Sequence, residues 1–197
     1  PLSTAKDLDE AVKAAAAAFQ IWSRKPIKER VQVFFRYKFL LEKNMDELAK
    51  LVQEENGKTY SEAVAEVEKS IELTEFACSL PQLVTGEVLE VSRGVECRTE
   101  HVPLGVVASI VPFNFPSMVP NWTLPNAIAL GNCMIMKPSE KVPLSTARLA
   151  LLLKEAGLPD GVINLIYVDG PTIGRVCFNH RDFAGVHFTG STGVFNN

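Results

Sequence analysis

Gly105-Val-Val-Ala-Ser-Ile-Val-Pro-Phe-Asn-Phe-Pro116 is a short apolar run that stops abruptly at proline and polar residues. Cys133-Met-Ile-Met-Lys-Pro-Ser-Glu140, one helix's worth of residues later, repeats the pattern. An uninterrupted apolar run of this length reads as a strand buried on both faces, as in a parallel sheet. In open α/β sheets ligands sit beyond the carboxyl ends of the strands, so Asn114, Lys137 and Glu140 are placed to face one ligand.

Strand and helix patterns alternate on the C-terminal side of this stretch. Residues 105–111, 133–136, 162–168 and 185–189 read as strands; residues 119–130, 145–156 and 171–179 read as helices, the first interrupted near Pro125 and the second stopped by Gly157. Short connections between alternating elements predict a parallel sheet with helices on both faces. On the N-terminal side, Thr4-Ala-Lys-Asp7 has the hydroxyl-then-acid spacing of a capping box. Leu8, Val12, Ala15, Phe19 and Trp22 then recur on one helical face. Pro26 restarts the chain into a second helix carrying Ile27, Val31, Phe34, Phe35 and Leu41. Asn44-Met-Asp-Glu47 can cap a third helix that Asn56-Gly57 ends, and residues 60–79 form a fourth with Val64, Val67, Ile71 and Phe76. Residues 87–91 and 95–102 alternate around Ser92-Arg-Gly94, which predicts a hairpin.

The fold class is therefore α/β: a helical layer (1–80), a β-hairpin (81–103) and a Rossmann-like parallel sheet (104–197), with residues 81–86 as the linker. If the chain is truncated, the sheet is incomplete: it lacks its last strand and exposes an unpaired edge, from which poor solubility or strand swapping is expected.

At 197 residues, 47% apolar and 22% charged, the composition is that of an ordinary globular chain with enough sequence for a core. A formal charge of −3 gives no electrostatic reason to expect nucleic acid or an anionic membrane as partner. No apolar run approaches a membrane span. Cys78, Cys97, Cys133 and Cys177 lack CxxC spacing and His101, His180 and His187 are equally scattered, so neither a metal site nor a disulfide framework is expected. That cysteine usage suits a reducing compartment. The first residue is Pro1, so an upstream segment, a transit peptide included, is compatible with the sequence.

Several residues suggest chemistry by type and place. Asn114, fenced by Pro112 and Pro116, could donate its amide to an oxyanion; the alternative is an Asx-turn asparagine ending a strand. Lys137 and Glu140, three apart, could bind ribose hydroxyls, the carboxylate repelling a 2′-phosphate; the alternative is a solvated ion pair. Gly170-Pro-Thr-Ile-Gly174 opens a helix after a strand and could bring backbone N–H groups to a dinucleotide, although a simple glycine turn explains it equally, and no GxGxxG occurs anywhere in the chain. In Phe188-Thr-Gly-Ser-Thr192, Gly190 would admit a ligand to the backbone and Ser191 presents a hydroxyl at a helix start, where it also reads as an N-cap. Phe115 and Trp122 are large aromatics near the same mouth, with core packing the ordinary alternative.

Pro112-Phe-Asn-Phe-Pro116, Lys137-Pro-Ser-Glu140 and Phe188-Thr-Gly-Ser-Thr192 resemble, in order and spacing, three signature blocks of the aldehyde dehydrogenase superfamily. Met118-Val-Pro-Asn-Trp122, Pro125-Asn-Ala-Ile-Ala129 and Gly131-Asn132 resemble its methylmalonate-semialdehyde dehydrogenase branch. The resemblance covers essentially the whole chain. It implies NAD-dependent oxidation of an aldehyde, a semialdehyde in this branch, through a cysteine thioester that passes to coenzyme A. It implies that Asn114 stabilises the tetrahedral oxyanion, that Lys137 and Glu140 bind ribose, and that Ser191 contacts the pyrophosphate. Val111, Phe113 and Lys141 are implied to line the cofactor cleft, and Phe115 and Trp122 the aldehyde tunnel. The hairpin is implied to belong to a subunit-association element of a dimer or tetramer, and the location to be cytoplasmic, or the mitochondrial matrix in a eukaryote. Lys69 stands where the branch has an arginine for the substrate carboxylate, keeping the charge and losing the bidentate fork. All four cysteines match positions that the family treats as non-catalytic, so the nucleophile is expected outside this chain, which alone would not turn over. The alternatives are a non-catalytic, truncated dinucleotide-binding or assembly fragment, and a hydrolytic aldehyde dehydrogenase.

Overall fold

The computed structural model describes residues 2–196. Four helices come first: α1 (Ala5–Trp22), α2 (Ile27–Lys43), α3 (Met45–Asn56) and α4 (Tyr60–Leu83). Thr4 closes the expected capping box on α1, its hydroxyl accepting from the Asp7 N–H while the Asp7 carboxylate accepts from the Thr4 N–H. Thr59 and Glu62 build a second such box on α4. Asn44 precedes α3, but its side chain does not cap that helix; its amide instead donates back to the Leu40 carbonyl at 2.7 Å. Gly57 ends α3 in the left-handed region at φ 81°.

The fourth helix runs through Pro81 to Leu83, beyond the expected stop at Ser79. Proline there removes one donor from the last turn, and the buried side of the helix, which includes Ala77 and Leu80, carries the helix past it. The hairpin follows as β1 (Glu87–Ser92) and β2 (Val95–Thr99), antiparallel, with Gly94 at φ 74° in the turn and every strand residue exposed.

From there strands and helices alternate: β3 (Val106–Ile110), α5 (Met118–Ala129), β4 (Cys133–Lys137), α6 (Pro143–Glu155), β5 (Ile163–Leu165), α7 (Gly170–Asn179), β6 (Phe183–Phe188) and α8 (Thr192–Phe195). Pro125 does not interrupt α5; the helix is continuous because Leu124, Pro125 and Ile128 are buried and α4 packs along it, a tertiary gain that outweighs one lost hydrogen bond. The third sheet strand is shorter than residues 162–168, although single backbone bonds from Met134 N to Val162 O and from Ile166 N to Met136 O extend its pairing at both ends.

The four-stranded sheet has the order β5-β4-β3-β6, all pairs parallel. The chain steps outward from β3 to β4 to β5, then returns to the other side of β3. With right-handed crossovers, the step reversal puts α5 and α6 on one face and α7 on the other. Helix α1 packs on β3, β4 and α7, completing the second face, while α2, α3 and α4 cover α5 and α6. One continuous core runs through these layers, with Phe34, Tyr37 and Leu41 of α2 fully buried beside Leu124 and Ile128. Asn132 stitches the start of the sheet: its carbonyl oxygen accepts from Leu104 N at 2.8 Å and Gly105 N at 3.2 Å, and its amide donates to Ala127 O at 3.0 Å.

Candidate functional site

Register decides where the strand ends meet. Ile110 pairs with Lys137 on one side and with Phe188 on the other. Val111 N donates to Lys137 O at 3.1 Å and Thr189 N to Ile110 O at 3.0 Å, so all three strands reach the same edge level. The residues that leave from that level are Val111 to Pro116, Pro138 to Lys141, and Thr189 to Ser191. The strand order reverses between β3 and β6, and in doubly wound sheets that switch point opens a crevice.

Phe113, Asn114 and Phe115 are exposed on this edge, between buried Val111 and buried Pro116. The loop that carries them is held from the helical layer. Asn56 Nδ2 donates to Phe113 O at 2.9 Å, and Lys58 Nζ donates to Asn114 O at 3.1 Å. Glu66, 3% exposed, accepts from Lys58 Nζ at 2.5 Å with one oxygen, and with the other from Ser117 N at 2.7 Å and Met118 N at 3.1 Å. It thereby supplies the N-cap that Ser117's own side chain does not provide to α5. The Ser70 and Ser117 hydroxyls meet at 2.9 Å, and Thr146 Oγ1 donates to Pro116 O at 3.2 Å. With its backbone so fastened, the Asn114 side-chain amide makes no hydrogen bond among the described residues.

Lys137 ends β4 as a buried ammonium, its side chain 11% exposed, 3.4 Å from the half-exposed Glu140 carboxylate. The Glu140 carboxyl is held below its usual range, first by a hydrogen bond from its own backbone, then by Lys137, against an opposing effect of burial. Lys141 turns its ammonium over the Phe113 ring at 4.8 Å, joining the second loop to the first. Glu55 fastens this second loop as Glu66 does the first: its carboxylate accepts from Leu144 N, Ser145 N and Ser145 Oγ at 2.5, 2.7 and 2.6 Å, capping α6.

At the third strand end, Ser191 Oγ accepts from Val194 N at 3.4 Å and caps the short α8. A Cβ on Gly190 would lie 2.6 Å from the Phe188 ring, so only glycine fits there unless that ring shifts. Gly170 and Gly174 sit in α7 after the outer strand β5, two strands from β3, or about 10 Å. Asp169 caps this helix, accepting from Thr172 N at 2.7 Å, and a Cβ on Gly170 would meet nothing within 4 Å.

The aromatics near the mouth are not core residues: Phe115 is 38% and Trp122 41% exposed, and the Lys58 ammonium sits 4.2 Å from the Phe115 ring centre. Lys69 lies on α4 three residues beyond Glu66, half-exposed and ion-paired with Glu72 rather than with the loop. Burial pushes the Cys133 and Cys177 thiols up to about 12 and Cys78 up to about 11, the reverse of what activates a nucleophile. Among the described residues no group of three or more His, Cys, Asp or Glu could hold a metal ion, and no helix is long and apolar enough to cross a membrane.

Sequence reasoning did not find Glu55, Asn56, Lys58 or Glu66. A signal for Glu66 was present: Glu66, Ser70 and Thr74 recur every four residues beside Ala63, Val67 and Ile71, and all three are buried. A polar line on an apolar helix face demands partners elsewhere in the chain.

Polar residues gathered at the strand ends beside the switch point, with no glycine-rich turn after β3, define a doubly wound α/β protein. The chain belongs to the aldehyde dehydrogenase family, whose model matches residues 1–197. It is 46% identical over 195 residues to malonate-semialdehyde dehydrogenase 1 of Geobacillus thermodenitrificans (strain NG80-2), covering 98% of this chain and 40% of that relative. Malonate-semialdehyde dehydrogenase 2 of Bacillus mycoides (strain KBAB4) is 48% identical with the same shares covered. The crystal structure of methylmalonate-semialdehyde dehydrogenase from Oceanimonas doudoroffii superposes with a TM-score of 0.96 at 43% identity, over 99% of this chain and 40% of that one. A Sinorhizobium meliloti 1021 protein assigned to the same enzyme class, in complex with NAD, gives 0.95 at 38% identity, over 98% of this chain and 40% of that one. This chain thus spans about 40% of the length of the relatives it matches.

Proposed function

We infer that residues 1–197 form the cofactor-binding side of an NAD-dependent enzyme that oxidises an aldehyde, a malonate-type semialdehyde first among candidates, to an acyl thioester passed to coenzyme A. The observation that carries this is Asn114: an exposed amide with no hydrogen-bond partner among the described residues, on a fastened loop beside an ammonium–carboxylate pair, at the switch point of the sheet.

The donor set fits NAD. Lys137 and Glu140 offer one donor and one acceptor 3.4 Å apart, the complement of a vicinal diol. A carboxylate at that place disfavours a 2′-phosphate. When bound, NAD supplies the hydride acceptor for the reaction. Val111, Phe113 and Lys141 line the cleft, Ser191 and the backbone at Gly190 approach the pyrophosphate, and Gly170 and Gly174 open the helix at its outer wall. The S. meliloti relative, solved with NAD, supports this reading.

Asn114 Nδ2 donates to the aldehyde oxygen as that oxygen becomes negative under attack by a thiol. None of the four cysteines here serves: three are held neutral by burial and Cys97 is an exposed hairpin residue. The thiol is supplied outside residues 1–197, so these residues alone do not turn over. Phe115 and Trp122 wall the aldehyde path, and Lys69 leaves Glu72 to meet the substrate carboxylate. The fully exposed hairpin docks against another subunit, and the cytoplasm, or a mitochondrial matrix, is the place of work.

In the full-length enzyme, Asn114→Ala is expected to lower kcat by about 10² to 10³ while leaving the KM for NAD unchanged. Unchanged kcat would sink the assignment. Turnover with and without coenzyme A identifies the acyl acceptor; equal rates in its absence would point to water.

A further inference from the structure

We propose that Asn56, Lys58 and Glu66 form a clamp that aims the Asn114 amide, with Lys58 and Glu66 as positioning residues that touch no substrate; this rests on the reading of Asn114 as an oxyanion donor. The direction of a side chain leaving its Cα is set by φ and ψ, hence by the two peptide planes on either side. Both planes flanking Asn114 are pinned through their carbonyls. Phe113 O, in the preceding peptide, accepts from Asn56 Nδ2 at 2.9 Å, and Asn114 O, in the following one, accepts from Lys58 Nζ at 3.1 Å. The two donors stand on either side of Gly57, whose φ of 81° makes the turn that lets both face the loop.

Glu66 completes the device. Its carboxylate orients the Lys58 ammonium at 2.5 Å and also takes the N–H groups of Ser117 and Met118, so one buried side chain anchors both the clamp and the exit of the loop. Lys58 is 11% and Glu66 1% exposed at the side chain, and the Phe115 ring covers the ammonium at 4.2 Å, which limits exchange with water. A buried ion pair stabilises a fold no more, and often less, than well-packed apolar residues of the same size would. What this one contributes is placement. An oxyanion donor needs placement most, because its effect depends on distance to an oxygen that becomes negative only in the transition state.

The test is a double-mutant cycle in the full-length enzyme, read by steady-state kinetics and by amide hydrogen exchange. Lys58→Met is expected to lower kcat about 10²-fold, the scale of a roughly 1 Å misplacement, with the KM for NAD unchanged. In an Asn114→Ala background the same change is expected to cost nothing more, since there is no amide left to aim. Independently of activity, exchange at Ser117 and Met118 should accelerate in Lys58→Met while peptides of β4 and α6 stay as they are. A full additional loss in the Asn114→Ala background, or unaltered exchange, overturns the clamp and leaves Asn114's role intact. A harmless Asn114→Ala change overturns the underlying reading instead. Should Lys58→Met not fold, Lys58→Met with Glu66→Gln removes both charges and is read in the same cycle.

Discussion

Cys133 and Cys177 are buried among apolar side chains that push their thiols up to about 12, so at pH 8 on the order of one in 10⁴ is ionised. Since only the thiolate reacts with iodoacetamide, folded protein treated at pH 8 should carry the label on exposed Cys97, little on Cys78, and none on Cys133 or Cys177 until denatured. Peptide mass spectrometry reads this directly, and stoichiometric labelling of Cys133 in the native state would contradict it. At this scale the sequence was informative where a residue's neighbours in space are its neighbours in the chain. Lys137 and Glu140 are three apart, so an ion pair between them is one of the two readings that their spacing allows. Lys58 and Asn114 are fifty-six apart, and nothing local to either one announces the other.

Among elements, helix ends show the same divide. The Thr4 box was legible because cap and acid lie within one turn. The continuity of α5 through Pro125 was not, because the packing that overrides proline comes from α4, some fifty residues away. The C-terminal ends of helices depend on arginines from α2. Arg30 Nε donates to Ala129 O at 2.8 Å at the end of α5, and Arg36 Nε to Ala156 O at 2.6 Å at the end of α6, each a cation where the helix dipole is negative. Glycine follows both ends. At Gly131 φ is 100°, and an added Cβ would lie 3.1 Å from the Arg30 guanidinium carbon and 3.2 Å from Pro103. Gly131→Ala should therefore lower stability by about 1–3 kcal/mol through backbone strain and displacement of Arg30. Denaturant titration measures this, and an unchanged midpoint would refute the arginine's part in the cap.

For the whole molecule, alternation gave the parallel sheet and its two covered faces, whereas the strand order had to be seen. Among the described residues β6 has one sheet neighbour, β3, and Ala184 and Val186 on it are exposed. A strand edge of this kind pairs with other chains, and the wholly exposed hairpin adds a second unprotected pair. Residues 1–197 expressed alone should gain mass with concentration in sedimentation velocity, and Val186→Lys should suppress that gain. A single monomeric species at every concentration would show the edge to be silent.

Two carboxylates, Glu55 from α3 and Glu66 from α4, reach up into the two loops at the mouth of the crevice. Floor and rim are in this way cast as one piece. A hinge placed between these helices and the sheet would have to break both sets of bonds at once.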